Sequence, residues 1–391
     1  MGKYYLMEKF AVIALLVLLA PVACGNVFYV GEGWDYKKIQ PAIDDANFYD
    51  TIIVYPGFYT ENITINKSIY LEGRDAIISG GIKIFANDIN LSGFLINGSY
   101  FAIEIKGNRN VIKNCSIIFS NSYGIKIEGK NNMIEGNKIF KNNFGIYLYF
   151  FSENNTIRNN EIYRNNCGIY VWKGIGNAFI GNIIRNNLEG IKIEGGENNF
   201  LNKNNISENS KGIYLCCNAK DNLIFENNFI GNLMHVYCYA DKNIWNLSNG
   251  NYWDNLSGDI FFIDEKNIDY SPSKSPYDIE NLSSKIYIFY PEENASVSGK
   301  IVIQGMVEKE GKVRIRIDDG PWENATGTFL WYYELDTKNL RDGKHEIYVE
   351  FEGNVMARTV YFKNKKSIPS FDVALLILVF LFILKNRKKY L

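Results

Sequence analysis

Tyr147, Tyr170, Tyr214 and Tyr237 each stand third in a recurring four-residue phrase, and Tyr149, Trp172 and Tyr239 lie two residues further along. Lys192 and Glu194 take the same two places in the phrase between Trp172 and Tyr214. Aromatic rings flanked by charged hydrogen-bonding groups suit sugars, which offer C–H faces and hydroxyl rims. An apolar patch of this size on a surface usually marks an interaction site. The competing explanation is that aromatics favour strands and that a neighbouring domain or a protein partner covers these.

Bond-breaking chemistry is poorly supplied. Glycoside hydrolysis needs two carboxyls about 5–10 Å apart, whereas Glu128 and Glu194 are expected three repeats apart, roughly 14 Å. Lys192 with Glu194 is too thin a set for a metal-assisted lyase. The chain has only two histidines, His235 and His345, and both read as structural. Five of the six cysteines lie beyond residue 25: Cys115, Cys167, Cys216, Cys217 and Cys238. Cys115 and Cys167 are too far apart to pair, while Cys216 or Cys217 is expected within disulfide reach of Cys238 on the next repeat. No catalytic residue, metal site or cofactor is assigned. With 42 basic against 43 acidic side chains, a net charge of −1 and a pI near 6.3, no nucleic-acid partner is expected.

The phrase that carries these residues is itself the strongest signal. Gly81-Ile-Lys-Ile, Ala102-Ile-Glu-Ile, Gly124-Ile-Lys-Ile, Gly145-Ile-Tyr-Leu, Gly168-Ile-Tyr-Val, Gly190-Ile-Lys-Ile, Gly212-Ile-Tyr-Leu and His235-Val-Tyr-Cys follow one another at steps of 21 to 23 residues. Alternation within each phrase makes it a strand. Three asparagine series recur in phase: Asn121, Asn142, Asn165, Asn187, Asn209 and Asn232; then Asn110 to Asn243; then Asn137 to Asn227. A repeat of about 22 residues holds three short strands and three turns. If one repeat is one coil, Ile103, Ile125, Ile146, Ile169, Ile191, Ile213 and Val236 stack inside, with Ile105, Ile127, Leu148, Val171, Ile193 and Leu215 beside them. The asparagines are read as left-handed corner residues whose amides stack along the axis. The expected fold class is all-β, a right-handed parallel β-helix over residues 26–250. A short amphipathic helix within Tyr36–Phe48 covers its open end.

Residues 27–254 resemble NosD-like, pectin-lyase-like right-handed β-helix proteins common on archaeal surfaces. The match rests on Ile39-Gln40-x-Ala42-Ile43-Asp44-x-Ala46, Asp50-Thr-Ile-x-Val-x-Pro56-Gly57-x-Tyr59-x-Glu61 and Asn251-Tyr252-Trp253-Asp254. The resemblance implies a heritage of carbohydrate binding or processing. The copper-insertion role in the family's name is not carried over, for want of a His or Met cluster.

The ends and the remaining segments set the expected compartment. Lys3 and Lys9 precede the apolar run Phe10–Ala23, as in a secretory signal peptide, assigned to residues 1–25. Residues 251–284 read as a linker or cap. Residues 285–364 read as a small β-sandwich and resemble Ig-like modules of archaeal surface proteins, on Asp318-Asp319-Gly320-Pro321-Trp322 and Trp331. Val373–Leu384, followed by Lys385 to Lys389, reads as a membrane anchor within residues 369–391, its basic tail cytoplasmic. Its Ile368-Pro369-Ser370-Phe371 lead-in resembles archaeosortase sorting signals. N-glycosylation sequons begin at Asn62, Asn66, Asn90, Asn97, Asn114, Asn154, Asn205, Asn246, Asn255, Asn281, Asn294 and Asn324.

The expectation is a single-pass cell-surface glycoprotein whose β-helix binds polysaccharide or envelope glycan through its aromatic face, with the membrane as second partner. The alternatives are an envelope or adhesion component that binds protein, and a polysaccharide lyase or hydrolase.

Overall fold

The computed structural model describes residues 25–364, except 151, 248, 280–283, 310 and 329. The chain divides between residues 280 and 281 into two compact units.

The first unit is a right-handed-type parallel β-solenoid of about 10 turns. The recurring phrases form one nine-stranded parallel sheet, from Ile63–Ile65 through Phe101–Ile105, Tyr123–Ile127, Phe144–Leu148, Cys167–Trp172, Glu189–Glu194 and Lys211–Cys216 to Met234–Tyr239. The other two walls join in an eighteen-stranded sheet. Register follows the phrase: Ile125 lies between Ile103 and Ile146, and Ile191 between Ile169 and Ile213. These columns are fully buried, because alternate side chains of a strand share one face. A Cβ on Gly168 would sit 2.6 Å from the carbonyl oxygen of Gly190, and one on Gly190 would sit 2.5 Å from that of Gly212. Glycine opens these phrases because the carbonyl oxygen of the next coil lies too close there for a side chain.

The asparagines do one of the two jobs expected: their amides form ladders along the axis, but they do not make the corner. The left-handed corner is taken by the residue before each: Asn131, Asn154 and Gly176 precede Asn132, Asn155 and Asn177, and Lys203 and Glu226 precede Asn204 and Asn227. From the second coil of each series on, the asparagines are buried, apart from the half-buried Asn232, and each amide oxygen accepts the backbone N–H of its counterpart one coil earlier. Asn160 N donates to Asn182 Oδ1 at 3.0 Å, and the Asn160 amide donates to the same oxygen at 3.0 Å. The Asn182 amide donates to Ile157 O at 2.8 Å and to Asn204 Oδ1 at 2.9 Å. Asn121 is exposed and outside its series, whose first donor is the backbone of Ser120.

All three ladders reach a carboxylate. The one through Asn227 and Asn251 ends on Asp269. The one through Asn222 and Asn243 passes to Asn267, whose amide donates to Asp264 at 2.9 Å. The one through Asn209 and Asn232 continues to His235 Nδ1, and His235 Nε2 lies 2.8 Å from Asp254.

The N-terminal cap is shorter than the sequence suggested. Its helix, α1, spans Ile39–Asp45 and buries Ile39, Ala42 and Ile43. Tyr36 is held extended by a bridge to Val30, and Asn47 begins a turn closed by Asp50. Glu61 accepts from the free N–H groups of Ile39 and Gln40 at 2.8 and 3.2 Å. The Gln40 amide donates to Thr64 O and accepts from Thr64 N, so one side chain pairs the sheet's first edge as a strand would. These contacts explain the Ile39-Gln40 and Glu61 positions of the motif. At the other end Tyr252–Trp253 still pairs with Asn228–Phe229, and Trp253 stacks between Phe229 and Phe261.

The second unit has two sheets around one core. Ile286–Tyr290, Lys300–Val307 and Leu330–Asp336 form one. Ala295–Val297, Asn354–Phe362, Gly343–Phe351, Arg314–Ile317 and Glu323–Asn324 form the other. Ile303, Trp331, Ile347, Val349 and Phe362 meet in that core. His345 is tied on both ring nitrogens, to Asp318 and to the carbonyl of Arg341, and stacks on Phe362.

Among the described residues no helix is long and apolar enough to cross a membrane. The expected signal peptide and the Val373–Leu384 anchor lie outside the described residues.

Candidate functional site

The nine-stranded sheet turns its outer residues into straight columns. Lys126, Tyr147, Tyr170, Lys192, Tyr214 and Tyr237 are register neighbours. Trp172, Glu194, Cys216 and Tyr239 form the parallel column, and Tyr149 meets Trp172 with ring centroids 4.9 Å apart. All nine expected binding residues thus share one face. A third column, Phe101, Tyr123 and Phe144, adjoins them. It escaped the sequence reading because the period of two is broken at the buried glycine between it and the phrase.

The rings do not lie flat. Tyr147 and Tyr170 stack on each other at 4.9 Å and 3°, and Phe144 packs against both. Lysines fill the gaps: Lys192 Nζ sits 4.8 Å from the Tyr170 ring and 5.3 Å from that of Tyr214, and Lys126 Nζ 4.2 Å from Tyr149. Each such contact contributes about 0.5–1 kcal/mol at an exposed site. Tyr170 Oη donates to Glu194 at 2.7 Å, and Lys192 reaches Glu194 at 3.2 Å. Those two bonds hold the Glu194 carboxyl below its usual range, while burial pushes the Tyr170 hydroxyl up. Burial likewise pushes Tyr147 up to about 12. The face offers ring edges, phenol hydroxyls and neutralised ion pairs.

The sheet also brings two carboxylates of adjacent coils to one lysine. Glu104 and Glu128 contact the same Lys126 ammonium, at 3.7 and 2.5 Å. Both carboxylates are thus paired with one ammonium.

The expected disulfide is absent, for a geometric reason. Cys238 is the register partner of Leu215 and continues an inner column, whereas Cys216 pairs with Tyr239 on the outer face. All five cysteines among the described residues are free. The nearest partner of Cys216 is Cys217 itself, Sγ to Sγ 3.1 Å, and burial pushes the Cys216 thiol up to about 12.

The sequons divide by exposure. Asn62, Asn66, Asn114, Asn154, Asn255, Asn294 and Asn324 are exposed, whereas Asn90, Asn97, Asn205 and Asn246 are half-buried. Asn281 lies outside the described residues. No sequon falls within the strands of the nine-stranded sheet from Phe101 to Tyr239.

The family model for NosD, described as a periplasmic copper-binding protein, matches residues 49–258, more than half of the chain. The chain belongs to the NosD family. A cell surface glycoprotein of Methanothermus fervidus is 29% identical over a match covering 38% of this chain and 33% of that protein. The matched part is thus about a third of the relative's length. Among solved structures, the NosD-family chain is similar to pectate lyase Pel9A, at 14% identity and a TM-score of 0.45, with 59% of this chain and 80% of that one covered. It is also similar to ORF18 of Geobacillus virus E2, at 15% identity and a TM-score of 0.47, with 84% and 75% covered.

The donors present do not suit the copper of the family's description. Among the described residues no group of three or more His, Cys, Asp or Glu could hold a metal. His235 is occupied by Asn232 and Asp254, and the other histidine lies in the second unit.

Proposed function

We propose that this NosD-family protein works outside the cell as a surface protein, and that the nine-stranded face binds a polysaccharide lying across the coils. The observation that carries this reading is the face itself. Aromatic edges, phenol hydroxyls and Lys–Glu pairs recur along it at the spacing of the coils, and its strands from Phe101 to Tyr239 are free of sequons. The named relative is a cell surface glycoprotein, which supports the location. In this reading the sandwich is an Ig-like spacer, Val373–Leu384 anchors the chain, and the exposed sequons carry glycans at the corners and ends.

The test is retention of the purified protein in gels cast with a panel of polysaccharides. Loss of retention in Tyr147→Ala and Trp172→Ala supports the reading; unchanged retention in both sinks that face as the site.

One observation favours a protein partner as the second reading. The last strand of the sheet, Met234–Tyr239, has no ladder partner on its outer side among the described residues. From Leu233 to Ala240 it carries no Lys, Arg, Asp, Glu or Pro, the residues that usually block strand addition. Leu233 is 89% exposed. A Val236→Pro variant that loses a co-purifying protein while keeping polysaccharide retention would shift the weight to adhesion.

A further inference from the structure

The self-stacked face has a counterpart on the eighteen-stranded sheet, in the first three coils, where an aromatic ring lies open. The chain leaves the strand Val27–Val30 through a tight loop in which Trp34 N donates to Gly31 O and Gly31 N to Tyr36 O. A Cβ on Gly31 would meet Tyr55 Cβ at 3.0 Å and the indole at 3.2 Å, so glycine there lets the indole lie down on the sheet. Trp34 stacks on Tyr55 at 4.8 Å and 12° and contacts Tyr29 at 4.7 Å. It remains 41% exposed, whereas every other described tryptophan is buried or half-buried.

The polar groups beside Tyr55, the ring it stacks on, are unspent. Tyr29, Ile53 and Glu72 are register neighbours, and Arg74 lies over the Tyr55 ring at 5.7 Å. Arg74 Nε meets Glu72 Oε1 at 3.2 Å, with both side chains about half exposed. Among the described residues, the Arg74 Nη groups, Glu72 Oε2, the hydroxyls of Tyr29 and Tyr55, and the Trp34 indole N–H have no hydrogen-bond partner. On the nine-stranded face the corresponding groups of Tyr170, Lys192 and Glu194 bond to one another.

The geometry points to a second carbohydrate site, a shelf along the first three coils on which one neutral pyranose ring packs against Trp34 while Glu72 and Arg74, past Tyr55, bracket hydroxyls of the adjoining unit. An open indole face matches the C–H face of a pyranose. A carboxylate oxygen and guanidinium N–H groups side by side match a hydroxyl pair that both donates and accepts. The Glu72–Arg74 pair carries no net charge, which selects a neutral sugar over an acidic one. The site is independent of the nine-stranded face and goes beyond the function proposed for it.

The experiment titrates the full-length protein with cellohexaose, mannohexaose and chitohexaose while following tryptophan fluorescence. The expected result is a saturable change with at least one of them. It should weaken by about tenfold or more in Trp34→Ala, weaken in Glu72→Gln, and stay within about threefold in Trp34→Phe. Phe119→Ala, at an exposed ring outside both sites, should leave it unchanged. An unaltered titration in Trp34→Ala overturns the shelf. So does the absence of binding to all three sugars, and so does loss of binding in Tyr147→Ala with Trp34→Ala unaffected.

Discussion

The inside and the outside of the solenoid repeat with the same period and obey different rules. Inside, asparagine recurs coil after coil, and each amide both accepts from the coil before and donates to the coil after, as Asn182 does between Asn160 and Asn204. A buried amide with one missing partner costs far more than the net gain of a bond made, so no position can drift. Outside, the columns read Lys, Tyr, Tyr, Lys, Tyr, Tyr in one row and Tyr, Trp, Glu, Cys, Tyr in the next. Neighbours there support one another through ring contacts, ion pairs and scattered hydrogen bonds such as Tyr170 to Glu194, each of modest strength. The lesson is that the repeat specifies the fold, and the departures from it on the outer face are where selection for binding could act.

Four variants test that contrast. Asn182→Ala should be the most damaging, costing about 3 kcal/mol in denaturant unfolding, because it orphans donors on Asn160 and an acceptor on Ile157 together. Gly168→Ala should cost about 2 kcal/mol, since the new methyl meets a backbone oxygen that cannot step aside. A smaller effect is expected from pH. Burial lowers the His235 pKa below 6.5, and a proton added at Nδ1 would confront the Asn232 amide. The unfolded chain therefore takes up that proton more readily than the folded one. Stability should be full above pH 6.5 and fall as pH drops below it, and His235→Asn should flatten that slope in pH-dependent unfolding. Tyr147→Ala should change stability least, by roughly 0.5–1 kcal/mol, while abolishing polysaccharide retention. A loss of stability equal to that of Asn182→Ala would erase the distinction between the two sides.

The solenoid was legible because its signals are local and repeated: alternation within the phrase, glycine at its start, and a constant step from one phrase to the next. The outer columns followed from the same register. What the sequence hid was whatever depends on contact between columns. The collapse of Tyr147 onto Tyr170, the diagonal approach of Glu104 and Glu128 to one lysine, and the opposite facing of Cys216 and Cys238 all follow from packing or from an exact strand parity. The asparagines were recognised as a ladder but credited with the corner as well. That corner conformation belongs to the preceding residue, whose identity varies from Gly to Lys and Glu and so leaves no pattern. Trp34 was passed over because it lies in a loop outside the repeat, where no periodicity draws attention to it.

The three ladder endings bear on how long such a solenoid can be. An asparagine side chain hands on a proton for every one it receives, so a column of them always asks for one more coil. An ionised aspartate only receives. With Asp269 and Asp264 closing two columns directly and Asp254 closing the third through His235, every chain of donors arrives at a group with nothing left to give. Exchanging any of these three for asparagine would reopen the demand for a further turn, and an aspartate placed earlier would end the count there. The number of coils is thus punctuated by chemistry as well as by the supply of repeats.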